Sequence, residues 1–351
     1  MIDARLTPWV ATWIAASTAC IAPYEFVADG SGSSEGGGGA HVSATSTAAS
    51  STAAFATSGT SGGGPCPLGT AKAGPYGAAQ LYFGVAEVEP VAHDENEEFH
   101  ASVSPDGSRL VRRWGPGEVA EYVRADLTSG WGDLVHEHYL FYELFPHLSA
   151  SGLRIFSCHG GELKCVIHAR PSLDGDFEIE RYFQEIPPFD GAAADFCFTP
   201  TPDGEHLAFC SDRRSPEVDE PGGGPRRVWV TRPLDSKIPE AGYGIPVSIP
   251  DAGFPGHQDP SWIDDEGLTI AFHSDRGLTR DLFVVSRAAA DQELAEPERI
   301  TALADDSADE AFFSMPSLAV VRQQPCAQSY AYFQRDRALM RVPVCVGAPC
   351  E

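Results

Sequence analysis

Short runs of alternating apolar and polar residues recur along the chain, and each follows a tight-turn sequence. Residues 104–110 and 201–209 both carry a Pro-Asp-Gly turn that leads into such a run. Proline presets the first turn position, aspartate accepts local backbone hydrogen bonds, and glycine adopts the left-handed conformation that a side chain opposes. Alternation then predicts a β-strand, because successive side chains of a strand point to opposite faces. Each copy therefore predicts a β-hairpin.

The same phrase occurs twice more in weaker form. Residues 264–272 repeat it without the proline, and residues 149–156 keep its glycine and its apolar run. The four turn glycines, Gly107, Gly152, Gly204 and Gly267, are spaced by 45, 52 and 63 residues. Hairpins repeated at this spacing predict a repeat architecture in which every unit supplies one small sheet.

Two of the copies also continue alike, since residues 208–213 (Ala-Phe-Cys-Ser-Asp-Arg) match residues 271–276 (Ala-Phe-His-Ser-Asp-Arg). This pattern resembles the TolB-type β-propeller repeat, in which a Pro-Asp-Gly turn joins the first two strands of a blade and a Ser-Asp-Arg turn joins the next two. The resemblance implies an all-β fold, a single propeller of four-stranded blades over residues 66–351. A fifth unit is indicated at residues 330–337. The strand predicted at residues 80–86 either begins a sixth blade or completes the last one, so five or six blades are expected.

The first 65 residues differ in composition from the rest. Residues 6–19 form a mostly apolar run, too short to span a bilayer, and Cys20 follows it. This segment resembles a bacterial lipoprotein leader, which implies that residues 1–20 are a leader and that Cys20 is lipidated. An ordinary secretory signal or a misplaced start codon is the alternative. Residues 21–65 are rich in Gly, Ser, Ala and Thr, which predicts a flexible tether. The expected location is extracytoplasmic, in the periplasm, at the outer membrane or at the cell surface, with membrane contact only through a lipid.

The charge of the chain limits the partners that it can bind. It has 24 Lys and Arg against 50 Asp and Glu, a formal net charge of −26. Such a surface repels phosphate backbones, so nucleic-acid binding is excluded. Solubility is the expected consequence of this charge, and an acidic surface for a cationic partner is the alternative.

Cysteine usage also indicates an oxidising compartment. Eight cysteines remain if Cys20 is lipidated, an even number that is compatible with disulfides. Two pairs flank predicted hairpins, namely Cys158 with Cys165 and Cys197 with Cys210. A disulfide between Cys326 and Cys345 would crosslink the last blade, and one between Cys66 and Cys350 would link the two ends of the ring. The sequence does not fix the connectivity, because eight cysteines allow 105 pairings. A metal site is the alternative, although no Cys-x-x-Cys occurs.

Acidic residues and histidines precede the strands that are predicted to line the central channel, and they would gather at one of its mouths. Carboxylates suit a hard cation such as calcium, and a mixed histidine and carboxylate set suits a transition metal. The metal set predicted on this basis is Glu98, His100, His257 and Asp259. Other residues expected in the region are Glu97, Glu143, His147, Asp195, Asp309 and Glu310. The alternative is that all of these are solvated loop residues.

His136 and His138 form a separate candidate, because residues two apart on a strand face the same side and can chelate one ion. Packing of both rings at a strand end is the alternative. The sequence contains no Gly-x-Ser-x-Gly elbow, no His-Glu-x-x-His helix and no phosphate-cradling glycine loop.

The function has to be argued from a site, since one fold serves many functions. We expect a non-catalytic, extracytoplasmic and monomeric propeller lipoprotein that binds an envelope protein or an extracellular ligand through a channel mouth or a blade top. The alternative is a metal-dependent hydrolase or lyase that acts on a sugar or lactone at the channel mouth, with a divalent cation as its cofactor. A purely structural envelope component is a third hypothesis.

Overall fold

The computed structural model describes residues 73–89, 100–115, 117–140, 143–159, 164–186, 188–189, 193–215, 218–221, 225–233, 243–244, 246–248, 256–275, 279–290, 292–324 and 328–347. Several predictions fall outside this part of the chain: the leader, lipidation at Cys20, the tether at residues 21–65, and the residues Cys66, Glu97, Glu98, Cys326 and Cys350. Within it, no helix is long and apolar enough to cross a membrane.

The described strands form six antiparallel sheets, of which five are the blades, here called blades 1 to 5, and the sixth is a two-stranded hairpin. Three strands precede the first blade: β1 (Ala73–Tyr76), β2 (Leu81–Phe83) and β3 (Glu87–Val88). Blade 1 contains β4 (Ala101–Val103), β5 (Arg109–Gly115), β6 (Glu118–Val123) and β7 (Leu134–Tyr139). Blade 2 contains β8 (Glu143–Leu148), β9 (Arg154–His159), β10 (Lys164–Ala169) and β11 (Glu178–Tyr182).

Blade 3 contains β12 (Asp195–Pro200) and β13 (Leu207–Ser211), an inserted hairpin of β14 (Arg213–Ser215) and β15 (Val218–Pro221), and then β16 (Arg227–Thr231) and β17 (Val247–Ser248). Blade 4 contains β18 (Gln258–Ile263), β19 (Thr269–Ser274), β20 (Asp281–Ser286) and β21 (Glu298–Arg299). Blade 5 begins with β22 (Glu310–Ser314), β23 (Ser329–Arg335) and β24 (Ala338–Val346). The helices in the described ranges are a 3-10 turn (Phe183–Glu185) and α1 (Leu318–Gln323).

An N-terminal strand completes blade 5 and closes the ring. Strand β2 pairs antiparallel with β24, so that Leu81 lies opposite Val346 and Phe83 lies opposite Val344. Leu81 and Phe83 are fully buried, and the Phe83 ring packs edge-on against Phe313 at a centroid distance of 5.8 Å. The strand predicted at residues 80–86 therefore completes the last blade, and the propeller has five blades rather than six.

The hydrophobic core is divided among the contacts between blades. The described side chains form five buried clusters, one between each neighbouring pair of blades. Representative members in the order 1–2, 2–3, 3–4, 4–5 and 5–1 are Ile155, Phe198, Ile263, Phe313 and Leu110. A blade packed on both faces buries both sides of its strands, and β13, β18, β19 and β22 are buried at every position. The ring is therefore held together by sheet-to-sheet packing around its whole circumference.

The turns have the conformation that the repeat predicts. Gly107, Gly152, Gly204 and Gly267 have φ angles of 75°, 69°, 73° and 66°. Asp106 accepts the backbone N–H of Ser108 at 3.0 Å, which confirms a structural role for this aspartate.

Arginines at the ends of the third strands close three of these turns. The Nε atoms of Arg124, Arg170 and Arg287 donate to the carbonyl oxygens of Gly107, Gly152 and Gly267 at 2.6, 2.8 and 2.8 Å. A buried carbonyl at each turn thereby gains a charged donor.

The structure confirms one of the predicted disulfides and contradicts another. The disulfide between Cys158 and Cys165 is confirmed. Cys345 is disulfide-bonded as well, and its predicted partner, Cys326, lies outside the described residues. The predicted bond between Cys197 and Cys210 is wrong, because both are free thiols whose sulfur atoms lie 3.4 Å apart. Register explains the difference: Cys158 lies directly opposite Cys165, whereas the residue opposite Cys210 is Phe196.

Candidate functional site: the channel mouth

The innermost strands of three blades carry the same irregularity near one mouth of the channel. Strands β8, β12 and β22 shift register after their second residue, and the third residue of each, Phe145, Cys197 and Phe312, has a φ angle of 57°, 56° and 56°. A bulge adds an unpaired residue and changes the direction of the side chain. The bulges therefore set one aromatic, one thiol and a second aromatic at equivalent positions of the ring.

His100 lies between the two aromatic rings. Its ring centroid is 4.8 Å from that of Phe145 and 3.8 Å from that of Phe312, and its Nδ1 accepts the backbone N–H of Phe145 at 3.1 Å. Phe145 and Phe312 belong to blades that are not neighbours in the ring, yet their centroids are 5.3 Å apart. These side chains consequently meet across the channel and fill this part of its mouth.

A buried group of sulfur and oxygen atoms lies at the mouth where blades 3 and 4 meet. Cys197, Cys210 and Asp259 are all buried, and their candidate ligand atoms lie within 4.8 Å of one another. The Asp259 carboxylate is 3.5 Å from Nε2 of His273 and 3.5 Å from Nη2 of Arg226. The group therefore combines two thiols, a carboxylate, an imidazole and a guanidinium.

Burial and neighbouring charge set the protonation of this group. Burial raises the pKa of the Cys210 thiol to about 11 and raises the pKa of the Cys197 thiol well above its usual value. Burial also acts to raise the pKa of Asp259, but the hydrogen bond and charge of His273 and the charge of Arg226 outweigh it and hold that pKa below its usual range. At neutral pH the group thus holds two protonated thiols and one carboxylate.

The structure describes three of the four residues that the sequence predicted to bind a metal ion. Glu98 lies outside the described residues, and His100 is packed in the aromatic group. His257 is exposed, and its Nδ1 accepts the backbone N–H of Arg226 at 3.2 Å. Asp259 lies within ligand distance of the two cysteines, which sequence reasoning had assigned to a disulfide. Of the four residues, Asp259 is the one that the described structure brings into a cluster of metal-ligating groups.

Other acids predicted near the mouth form ion pairs. Asp195 contacts Nη2 of Arg213 at 2.8 Å, and Glu310 contacts Nε of Arg335 at 3.2 Å. Burial raises the pKa of Glu310 to about 7 although Arg335 opposes the shift. Asp309 accepts the backbone N–H of Arg280 at 2.8 Å. The buried contacts of Asp195 and Glu310 are typical of acids that stabilise the blades, whereas Asp309 lies in the loop before β22 with its side chain 44% exposed. Glu143 is the first residue of β8.

The histidine pair of strand β7 belongs to a different group. The rings of His136 and His138 stack at 5.5 Å, and Nε2 of His138 lies 3.1 Å from the Glu121 carboxylate. Glu121 also receives Arg109 at 2.6 Å and Arg170 at 2.7 and 2.9 Å. His138 is therefore part of a buried charge cluster that joins blades 1 and 2.

Residues from the innermost strands of all five blades line a cavity of about 40 Å³. His147 and Thr199 line it, and Nε2 of His147 lies 3.1 Å from Oγ1 of Thr199. Burial, with a smaller effect of His100, lowers the pKa of His147 to about 3, so this imidazole is neutral. The cavity has room for about three water molecules.

Sequence reasoning did not identify the thiol and carboxylate cluster, although the repeats contain a signal for it. Cys210 and His273 are the penultimate residues of β13 and β19, and they occupy the same place in the matching phrases Ala-Phe-Cys-Ser-Asp and Ala-Phe-His-Ser-Asp. Two adjacent blades thus place metal-ligating residue types at one repeat position.

The sheet order and its closure define the class of this protein as a five-bladed β-propeller. No protein-family model matches the chain, and no curated protein matches it. Among solved structures, the chain is similar to a putative TolB from Agrobacterium tumefaciens, with a TM-score of 0.40 and 14% identity over 72% of this chain and 91% of that one. It is also similar to TolB from Acinetobacter baumannii, with a TM-score of 0.34 and 14% identity over 72% of this chain and 54% of that one.

Proposed function

We propose that the protein is a non-catalytic binding propeller outside the cytoplasm, and that it binds an extended segment of another envelope protein along the outer edge of blade 1. The observation that carries this proposal is strand β7, a long outermost strand with exposed apolar side chains. The sequence led us to expect the channel mouth or a blade top as the binding surface, and the proposal moves that surface to a blade edge.

The outermost strands differ in length between blades. Strand β7 has six residues and β11 has five, whereas β17 and β21 have two each. An outermost strand presents unpaired backbone N–H and C=O groups to any chain that approaches it, and proteins protect such edges by keeping them short or charged. The outermost strands of blades 3 and 4 are protected because they are short, whereas the outermost strand of blade 1 is long.

The side chains of β7 favour binding rather than protection. Leu134, Val135 and Tyr139 are 39%, 46% and 58% exposed. Strand β11 exposes Ile179, but it also carries Glu178, Glu180 and Arg181, which protect an edge. Because a partner strand that adds to β7 would gain backbone hydrogen bonds and cover these apolar side chains, β-strand addition suits this surface.

The charge around β7 specifies the chemistry of the partner further. Asp133, Glu118 and Glu137 are exposed on or beside the strand, and the chain has a net charge of −26. Complementary charge speeds association and selects among partners. A segment with alternating apolar and basic side chains therefore fits the edge of blade 1.

The channel supports a binding role more than a catalytic one. Its described mouth is packed by His100, Phe145 and Phe312, and the cavity between the innermost strands is about 40 Å³. At this mouth the described part of the channel therefore presents packed aromatic side chains.

The proposed location follows from the cysteines and from the sequence of the N-terminal segment. The Cys158–Cys165 disulfide is typical of an oxidising compartment. We further propose that Cys20 is lipidated and that residues 21–65 form a tether that carries the propeller away from the membrane. Mass spectrometry of the N-terminal peptide tests this part separately.

Site-specific photo-crosslinking in intact cells tests the binding surface. A photoreactive residue at Val135 of the full chain should form adducts with one protein or a small defined set. The same residue at Ile179 on β11 is the matched control, because that position is equally exposed on a neighbouring outer strand. Adducts at 135 that disappear on Leu134→Lys and Tyr139→Lys substitution, with thermal stability unchanged, support the proposal. No adduct at 135, or the same adducts at 135 and 179, would overturn it.

A further inference from the structure

We propose that Cys197, Cys210 and Asp259 bind one zinc ion at the channel mouth, with His273 holding the carboxylate in position. The site is distinct from the partner-binding edge of blade 1 and does not depend on it. It also differs from the metal set expected from the sequence, with which it shares Asp259 alone.

The spacing of the two thiols suits a shared metal ion. Their sulfur atoms are 3.4 Å apart. Two thiolates on one tetrahedral zinc, with Zn–S bonds of about 2.3 Å, are about 3.8 Å apart. A disulfide requires about 2.05 Å. The observed separation is therefore nearer to the metal geometry, and a small outward movement of either side chain completes it.

The carboxylate adds a third ligand to the thiol pair. Candidate ligand atoms of Cys197, Cys210 and Asp259 are all within 4.8 Å of one another, as one central ion requires. His273 contacts the carboxylate through Nε2 at 3.5 Å. A neighbour of this kind orients a metal ligand and raises its affinity. Three protein ligands leave the fourth tetrahedral position to a water molecule.

The ligand types select the metal. Thiolates favour zinc and other soft or borderline ions, whereas calcium and magnesium prefer oxygen ligands alone. Two thiolates and one carboxylate carry three negative charges. One zinc ion and the guanidinium of Arg226, 3.5 Å from Asp259, balance them. Burial of the charged group is thereby compensated.

Binding is coupled to proton release, because thiols have to lose their protons to ligate a metal. A cysteine thiol is ordinarily protonated at neutral pH. Two protons are therefore released when two thiols ligate one zinc ion. An ion can approach from the side of Arg226 and His257, which are half-buried and exposed, respectively.

Zinc titration of the full chain tests the proposal. The protein is purified with a reductant, stripped with a chelator, and titrated by calorimetry in two buffers of different ionisation enthalpy. Because the reductant also opens the Cys158–Cys165 disulfide, a variant that carries Cys158→Ser and Cys165→Ser is titrated in parallel and should bind zinc equally. We expect one zinc per chain, about two protons released, and a higher melting temperature with zinc. Cobalt in place of zinc should give the sulfur-to-metal charge-transfer absorption of a thiolate site.

Variants separate this site from other histidines and cysteines. Cys197→Ser and Cys210→Ser should each weaken zinc binding by more than about 100-fold, and His273→Gln by about 10- to 100-fold. His257→Ala is the matched control, because His257 is close in sequence to Asp259 but outside the cluster, and it should leave zinc affinity unchanged. A loss of zinc in the His257→Ala variant would overturn the assignment of ligands.

The wild-type protein provides a test that needs no variant. Failure to bind zinc stoichiometrically would overturn the proposal. A Cys197–Cys210 disulfide in protein isolated from its own compartment without a reductant would overturn it as well, since the two thiolates would not exist there.

Discussion

Substitution of Glu121 by glutamine should destabilise the propeller strongly. The carboxylate has no exposed surface, and it accepts hydrogen bonds from Arg109 at 2.6 Å and from Arg170 at 2.7 and 2.9 Å. Arg170 is fully buried as well, and it belongs to the neighbouring blade. Removal of one partner of a buried ion pair leaves the other charge uncompensated and costs about 3 to 5 kcal/mol. We expect a loss in this range for Glu121→Gln, measured by urea unfolding at pH 7.

The pH dependence of this loss has a defined sign. Burial acts to raise the pKa of Glu121, but hydrogen bonds from His138, Arg170 and Arg109 outweigh burial and lower it below its usual range. A carboxyl whose pKa is lower in the folded state stabilises the fold above its unfolded pKa, about 4.3, and loses this contribution as the pH falls toward the folded pKa. The difference between wild type and Glu121→Gln should therefore shrink below about pH 4.

A second ion pair of the same chain provides the control. Arg154 and Glu180 lie 3.0 Å apart, but their side chains are 25% and 19% exposed. A pair with this solvent access typically contributes about 0 to 1 kcal/mol. Glu180→Gln should therefore have a small effect. Equal losses for the two variants, or a loss below about 1 kcal/mol for Glu121→Gln, would refute the assignment of stability to the buried cluster.

Three further predictions concern ring closure, the disulfide and a buried acid. Phe83→Ala should lower the free energy of unfolding by about 3 to 5 kcal/mol, as thermal or urea unfolding can measure. Tyr82→Ala on the same strand should lower it less, because Tyr82 is only half-buried. Equal losses would contradict the packing role of Phe83. Joint replacement of Cys158 and Cys165 by serine should cost about 2 to 3 kcal/mol, and reduction of the wild type should lower its melting temperature, whereas no change would contradict both. Burial raises the pKa of Glu310 to about 7, so the wild type should lose folding stability as the pH rises from about 4.3 toward 7. Glu310→Gln should remove this loss, which is on the order of 1 to 3 kcal/mol. If the variant keeps the pH profile of the wild type, this prediction is wrong.

Much of the fold could be predicted because the repeat places special residues where the backbone requires them. The backbone at positions 107, 152, 204 and 267 has a left-handed φ angle that glycine adopts more readily than other residues. The hairpins could therefore be predicted from the positions of these glycines. The number of blades could not be fixed in the same way. Strand β2 has no hairpin of its own, and its pairing with β24 joins segments more than 250 residues apart.

The two hairpin disulfides that the sequence predicted show a limit of local reasoning. Both cysteine pairs flank a turn on paired strands, and the pattern does not distinguish them. In blade 2 the two residues are in register. In blade 3 a bulge after Phe196 shifts Cys197 by one position, and the bond is not formed. A bulge depends on packing around the channel, which one hairpin does not encode.

The bulge itself does not require a cysteine, which bears on the role of the thiols. Phe145 and Phe312 occupy the same bulge position in blades 2 and 5 with nearly the same φ angle as Cys197. The penultimate position of the second strand likewise accepts Gln334 in blade 5. Other blades form with an apolar side chain at the bulge position and with an amide side chain at the penultimate position. Backbone geometry therefore does not account for cysteines at both positions of blade 3. Their shared proximity to Asp259 does, if the three residues serve as ligands.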